Sequence, residues 1–77
     1  MAKTLKIGSV GLGRLGYEHA KNIANYVTGA ELTAICDTDA ARVAQVAEEL
    51  NVPYTYTDVA EMVKNPELDA IVVVSPS

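Results

Sequence analysis

Three glycines within six residues carry the clearest chemical signal in the sequence. Residues 11–16 read Gly-Leu-Gly-Arg-Leu-Gly, the pattern G-x-G-x-x-G, and a short apolar stretch precedes them directly. In such a pattern the first glycine permits a sharp turn, the second lets a ligand approach the backbone, and the third allows close packing of a helix. Backbone N–H groups at the start of that helix face a bound anion, so the pattern predicts a diphosphate-binding turn.

An acidic residue lies at the position where a second binding residue is expected for the ligand of this turn. Asp37 follows Gly16 by 21 positions and comes directly after the next apolar stretch. A carboxylate at roughly this spacing accepts hydrogen bonds from the adenosine ribose of a dinucleotide, while capping of the following helix is the alternative role. The 2′-phosphate of NADP would be repelled by Asp37. No basic residue is adjacent to offset this repulsion, because Thr38 is neutral and Arg42 lies a turn into the next helix. The sequence therefore predicts NAD as the cofactor, with NADP disfavoured.

The remaining candidate site residues lie within the turn or after the last strand. Leu12 can offer its backbone amide to the cofactor, and Arg14 can neutralise the diphosphate unless it is simply a solvated surface charge. Ser75 and Pro76 lie at the carboxyl end of the last predicted strand, where ligands bind in open α/β sheets, or else belong to an ordinary loop. The predicted cofactor-binding residues are Gly11, Leu12, Gly13, Arg14, Leu15, Gly16, Asp37, Ser75 and Pro76.

No residue is predicted to be catalytic. His19 lies three positions after Gly16, and packing or an exposed polar contact explains it better because no acid or nucleophile is visible to pair with it. Cys36 is expected to be a small core residue, and no metal-ligand spacing is present. The four tyrosines show no stacking arrangement.

Composition and charge exclude several classes of function. The 77 residues suffice for one small domain, with 49% hydrophobic and 21% charged residues. The net charge is −4 and the six basic residues are scattered, so we expect no nucleic-acid partner. Because no signal peptide or membrane-length apolar segment is visible and the single cysteine fits a reducing compartment, we expect a cytoplasmic protein that does not bind membranes.

The elements that must position these residues alternate between strands and helices. Leu15, Ala20, Ile23, Ala24 and Val27 predict the apolar stripe of the first helix. The final apolar run suits a strand that is covered on both faces, as in a parallel sheet. Strands are predicted over 5–10, 31–36, 52–56 and 70–74, and helices over 14–27, 40–50 and 59–64.

This alternation predicts the α/β class. We expect a doubly wound parallel sheet with strand order 3-2-1-4 and a three-layer α/β/α architecture, which is a partial Rossmann fold. Its ligand crevice would lie between strands 1 and 4.

The glycine turn and the strands around it resemble the Gfo/Idh/MocA family. The resemblance rests on residues 6–16 followed by His19, on residues 29–37 and on residues 69–76, and is closest to inositol dehydrogenase-like members. It implies an NAD(P)-dependent oxidoreductase that transfers hydride between a nicotinamide and a sugar, cyclitol or polyol alcohol. It also implies a homo-oligomer at full length.

On the same resemblance, residues 1–77 are the N-terminal part of a dinucleotide-binding Rossmann domain. The substrate domain and the proton-transfer residues follow the end of this sequence, so the chain alone is expected to be inactive. A non-enzymatic dinucleotide-sensing regulator of the same family is one alternative. A methyltransferase that binds adenosylmethionine is another, although the third glycine, Gly16, argues against it.

Overall fold

A parallel four-stranded sheet organises the chain, whose computed structural model describes residues 4–25 and 28–74. The strand order is β3-β2-β1-β4 and each pair of neighbours is parallel, which confirms the predicted topology. The strands are β1 (Leu5–Val10), β2 (Ala30–Cys36), β3 (Tyr54–Tyr56) and β4 (Ala70–Val73), and the helices are α1 (Arg14–Asn25), α2 (Ala40–Leu50) and α3 (Val59–Met62).

Helices cover the sheet on two sides. Ala20 of α1 and Val43 and Val46 of α2 pack with Ile35 of β2 in one buried apolar cluster. Met62 of α3 packs in a second cluster with Ala34 and Cys36, which alternate with Ile35 along β2 and so face the other side. The described residues therefore form the three predicted layers.

One extra residue in β2 decides which side chains reach each cluster. The pairing of β2 with β1 passes over Thr33, which lies between the paired residues Leu32 and Ala34. An inserted residue shifts the alternation of side chains by one position. Leu32 and Ile35 consequently share the cluster beneath α1 and α2, although strict alternation would place them on opposite faces.

Aspartate side chains cap the starts of the second and third helices. The Asp39 carboxylate accepts a hydrogen bond from the Arg42 amide at 3.1 Å, and the Asp58 carboxylate accepts one from Ala60 at 2.9 Å. Helix α2 ends at Asn51, whose φ of 56° is left-handed. The predicted end of the second helix at residue 50 is thereby confirmed.

Several predicted boundaries need correction. Strand β3 begins at Tyr54 rather than Val52, because the Val52 amide donates to the last turn of α2 at 2.9 Å and cannot join the sheet there. Helix α3 ends at Met62 rather than Lys64, whose amide closes a tighter three-residue turn. Strand β2 starts at Ala30, one residue earlier than predicted. The end predicted for the first helix, at residues 26–27, lies outside the described residues.

Two predictions of burial are wrong for this chain. Leu15 is expected in the apolar stripe of α1 but is 60% exposed, whereas the buried residues of that helix are Gly16 and Ala20. The last strand was expected to be covered on both faces, yet Val73 is 64% exposed. Strand β4 lies at an edge of the sheet within the described residues, which leaves part of its surface open.

Met62 provides a test of the cluster beneath α3. Its side chain is 0% exposed, whereas its neighbour Val63 is 56% exposed. Met62→Ala should lower the free energy of unfolding by about 2–5 kcal/mol because it leaves a cavity. Val63→Ala, the matched control, should change it by about 0.5 kcal/mol or less. Urea unfolding measures both changes, and equal effects of the two substitutions would contradict this packing.

Candidate functional site

A cleft of about 550 Å³ opens at the carboxyl ends of the strands. In open α/β sheets this edge is where ligands bind. The cleft reaches from the ends of β1 and β4, where the crevice was predicted, to the ends of β2 and β3. Its lining residues are Val10, Gly11, Cys36, Asp37, Thr38, Thr57, Asp58, Val59, Val73 and Val74.

The three glycines of the turn meet different steric conditions. At Gly11 φ is +96°, and a Cβ there would lie 2.5 Å from the Val74 carbonyl oxygen. At Gly16 a Cβ would lie 2.1 Å from the Gly11 carbonyl oxygen, so α1 packs directly on the turn. At Gly13 a Cβ would meet nothing within 4 Å. Gly11 and Gly16 are therefore required by the fold itself, whereas the space at Gly13 is open for a ligand.

Helix α1 begins without the side-chain cap that α2 and α3 have. The Gly13 carbonyl accepts the Tyr17 amide at 2.8 Å, so Gly13 precedes the first helical turn and has no side chain to offer. That first turn also contains no acidic residue. Exposed amides and the positive end of a helix dipole favour an anion, and the open space at Gly13 adjoins them.

Asp37 is held against this turn by two backbone amides. Its Oδ2 accepts a hydrogen bond from the Leu12 amide at 2.6 Å, and its Oδ1 accepts one from the Asp39 amide at 3.0 Å. These bonds, from Asp39 first and Leu12 second, hold the pKa of Asp37 below its ordinary value. The carboxylate is thus ionised at neutral pH and lines the cleft.

Two interpretations of these residues change with the structure. The alternative role of Asp37 as the helix cap is wrong, because the side chain that caps α2 belongs to Asp39. The Leu12 amide, predicted to face the cofactor, donates to Asp37 instead. Leu12 is 1% exposed and belongs to the core beneath α1 and α2, so this residue anchors the turn from inside.

Arg42 contacts the turn with its side chain and also lies over the ring of Tyr17. The Arg42 Nε donates to the Leu12 carbonyl at 3.2 Å, and the guanidinium carbon lies 5.0 Å from the centre of the Tyr17 ring. The Tyr17 hydroxyl donates to the Glu49 carboxylate, and this bond raises the pKa of Tyr17. The sequence analysis did not find this cation–π contact of Tyr17, whose partner lies 25 positions away in sequence.

The sequence analysis also missed the far wall of the cleft. Thr57, Asp58 and Val59 line it from the connection between β3 and α3. The available signal was positional, because these residues follow the carboxyl end of a parallel strand, as Asp37 does. Cys36 lies in the same lining, buried as predicted, and burial raises the pKa of its thiol.

The other predicted site residues are not brought together by direct contacts. Arg14 and Leu15 are exposed on the first turn of α1, beside the open space at Gly13. Ser75 and Pro76 lie outside the described residues. His19 is exposed on α1, as one of its two sequence-based explanations expects.

Neither a metal site nor a membrane-spanning helix is found within residues 4–25 and 28–74, the part of the chain that the structure describes. Among them, no group of three His, Cys, Asp or Glu side chains is placed to hold a metal ion. None of their helices has the length and apolarity needed to cross a membrane.

The sequence of this chain is similar to those of inositol dehydrogenases. The chain is 39% identical over 77 residues to scyllo-inositol 2-dehydrogenase (NAD(+)) of Bacillus subtilis, covering 100% of this chain and 22% of that protein. It is 38% identical over 71 residues to myo-inositol 2-dehydrogenase of Thermotoga maritima, covering 92% of this chain and 21% of that protein. The chain thus spans about a fifth of the length of these relatives.

A solved structure agrees with the fold as well. Scyllo-inositol dehydrogenase from Lactobacillus casei, with bound NAD(H) and scyllo-inositol, superposes with a TM-score of 0.91 and 44% identity. The match covers 97% of this chain and 22% of that one. Residues 5–77 match the sequence model of Gfo/Idh/MocA, the oxidoreductase family with an NAD-binding Rossmann fold, and this chain belongs to that family.

Proposed function

We propose that the cleft holds the adenosine half of NAD, that the adjoining glycine turn holds its diphosphate, and that the intact protein oxidises a cyclitol alcohol. The observation that carries the proposal is the open space at Gly13, which adjoins the uncapped start of α1 and lies one residue from the amide that Asp37 binds. An anion and a sugar can be bound side by side there. NAD supplies the hydride acceptor when bound, and the residues of this chain bind and orient it.

Each part of the cleft has a matching part of the dinucleotide. The diphosphate lies against Gly13 and the first turn of α1, with Arg14 exposed on the same turn. The adenosine ribose donates to Asp37, which retains unused lone pairs beside its two backbone bonds. The adenine lies along the wall that includes Thr57 and Val59. Leu15, Ser75 and Pro76 are assigned to the side that leads towards the nicotinamide.

The ionised carboxylate also favours NAD over NADP. A 2′-phosphate would bring a second negative charge to Asp37, which its backbone bonds keep ionised at neutral pH. Arg42, whose side chain reaches this turn from α2, is hydrogen-bonded to the Leu12 carbonyl and lies over the Tyr17 ring. It is therefore engaged elsewhere rather than placed for a 2′-phosphate.

The substrate class follows from the relatives, which are named for scyllo-inositol and myo-inositol. Because the chain spans about a fifth of their length, the cyclitol and the proton-transfer groups are assigned to the remainder of the intact protein. We propose residues 1–77 as the N-terminal part of the dinucleotide-binding domain of a cytoplasmic homo-oligomer.

The direct test uses the intact protein. It should bind NAD at least about tenfold more tightly than NADP, because only NADP carries a 2′-phosphate that would be repelled by the Asp37 carboxylate. It should also reduce NAD with scyllo-inositol or myo-inositol, as followed by nicotinamide absorbance. Binding of NAD without turnover of any inositol or sugar would favour the dinucleotide-sensing regulator, and absence of NAD binding would refute the proposal.

Asp37→Asn should separate ribose recognition from the rest of the site. The loss of hydrogen bonds to a charged acceptor should weaken NAD binding by about ten- to a hundredfold and reduce the preference over NADP. Glu48→Gln, on the exposed side of α2, removes the same charge and should leave both affinities within about twofold. Calorimetric titration measures both, and an unchanged preference in Asp37→Asn would place the ribose elsewhere.

The same residue predicts a pH dependence. Because folding lowers the pKa of Asp37, its stabilising contribution is present above the unfolded value of about 3.9 and disappears as pH falls through the folded value. The stability difference between the wild type and Asp37→Asn should therefore be constant from about pH 5 to pH 8 and shrink below about pH 4. Urea unfolding across this range measures it.

Gly13→Ala and Gly16→Ala should have different effects on the same turn. Gly13→Ala should leave the free energy of unfolding within about 0.5 kcal/mol of wild type, since its Cβ meets nothing within 4 Å. It should still weaken NAD binding more than about tenfold by filling the diphosphate approach. Gly16→Ala should itself destabilise the protein by about 1–3 kcal/mol. Unimpaired NAD binding by Gly13→Ala would contradict the proposed diphosphate position.

A further inference from the structure

Leu12 is held through both of its peptide groups by side chains from two other elements. Its N–H donates to Asp37 at the tip of β2 at 2.6 Å, and its carbonyl accepts from Arg42 Nε of α2 at 3.2 Å. Its side chain is buried in the core beneath these helices. The orientations of the peptide before Leu12 and the peptide after it are thus both restrained.

Because peptide groups are planar, these two contacts also fix the directions of the Gly11 carbonyl and the Gly13 N–H. In a trans peptide the C=O and the following N–H point in opposite directions, and the described residues contain no cis peptide. The Leu12 N–H points to Asp37, so the Gly11 carbonyl must point away from it, and that oxygen indeed lies against Gly16. The Leu12 carbonyl points to Arg42, so the Gly13 N–H must point away from Arg42.

The guanidinium that makes this contact is itself restrained. Its central carbon lies over the Tyr17 ring, 5.0 Å from the ring centre, and its Nη1 lies 3.5 Å from the Gln45 side-chain oxygen. Tyr17 is in turn bonded through its hydroxyl to Glu49. A planar guanidinium on an aromatic ring keeps its donors in a defined plane. The contact therefore joins α1, α2 and the glycine turn through one side chain.

We infer that Arg42 is a positioning residue for the diphosphate, which acts by orienting the Leu12–Gly13 peptide so that the Gly13 N–H is directed into the open space of the turn. Arg42 touches the turn from the side opposite this amide and does not need to contact the cofactor. The inference rests on the proposed NAD site and adds a residue to it. It separates two roles at one turn, with Asp37 acting on the ribose and Arg42 acting on the diphosphate through Gly13.

The test compares three probes on the intact protein: NAD, ADP and adenosine. For Arg42→Gln, dissociation constants for NAD and ADP should rise about tenfold, because the Gly13 amide loses its fixed direction. The dissociation constant for adenosine, which lacks the diphosphate, should stay within about twofold. At saturating NAD, kcat and the KM for inositol should be unchanged. Calorimetry serves for NAD, and NMR titration serves for the weaker ligands.

Two further variants act as matched controls. Lys64→Met removes one positive charge from an exposed side chain paired with Glu61, and it should leave all three affinities unchanged. Arg42→Lys keeps a donor for the Leu12 carbonyl but loses the planar stack on Tyr17, so its NAD affinity should fall between those of the wild type and Arg42→Gln. If Arg42→Gln does not fold, Arg42→Lys provides the comparison of NAD with adenosine.

The outcomes separate this inference from the proposed function. A wild type that fails to bind NAD overturns both. A wild type that binds NAD, with Arg42 variants that bind it equally well, overturns the positioning role alone. If Arg42→Gln loses affinity for NAD and for adenosine equally, the substitution disrupts the fold in general. If Lys64→Met loses as much NAD affinity as Arg42→Gln, the effect comes from the overall charge of the protein. Either result overturns the positioning role of Arg42.

Discussion

The hydrogen bond from the Leu12 amide to the Asp37 carboxylate is the contact on which the arrangement of this site depends. It joins the glycine turn after β1 to the tip of β2 at 2.6 Å. A charged acceptor strengthens such a bond, and the same bond helps to keep the acceptor charged. The turn is thereby restrained and the carboxylate is ionised before any ligand arrives, so ligand binding needs little rearrangement of either group.

Close packing around the turn imposes the second constraint. The Gly11 carbonyl lies where a side chain at Gly16 would begin, so α1 can approach the sheet only if that position has no Cβ. Gly13 is different, because a Cβ there would meet nothing within 4 Å and the fold itself does not require a glycine. Within one short motif, close packing therefore accounts for Gly16 but not for Gly13.

Local patterns predicted much of the fold. The bounds of β1 and α2 and the strand order were predicted, because the periodicity of apolar residues depends on positions a few residues apart. The errors arose where distant packing decides. Val52 has the residue type of a strand, but its amide bonds to the last turn of α2. Leu15 fits the helical stripe but is exposed, since the buried residues of α1 are Gly16 and Ala20.

The sequence by itself determined the family, the glycine turn, the acidic partner and the alternation of elements, since each is written in residue types at short or regular spacing. Only the tertiary structure decided that the Leu12 amide meets Asp37, that Arg42 meets the Leu12 carbonyl and that Thr57 to Val59 form a wall of the cleft. The first two contacts join residues 25 and 30 positions apart. Such contacts depend on the extra residue in β2 and on how α2 packs against α1, and neither leaves a periodic trace in the sequence.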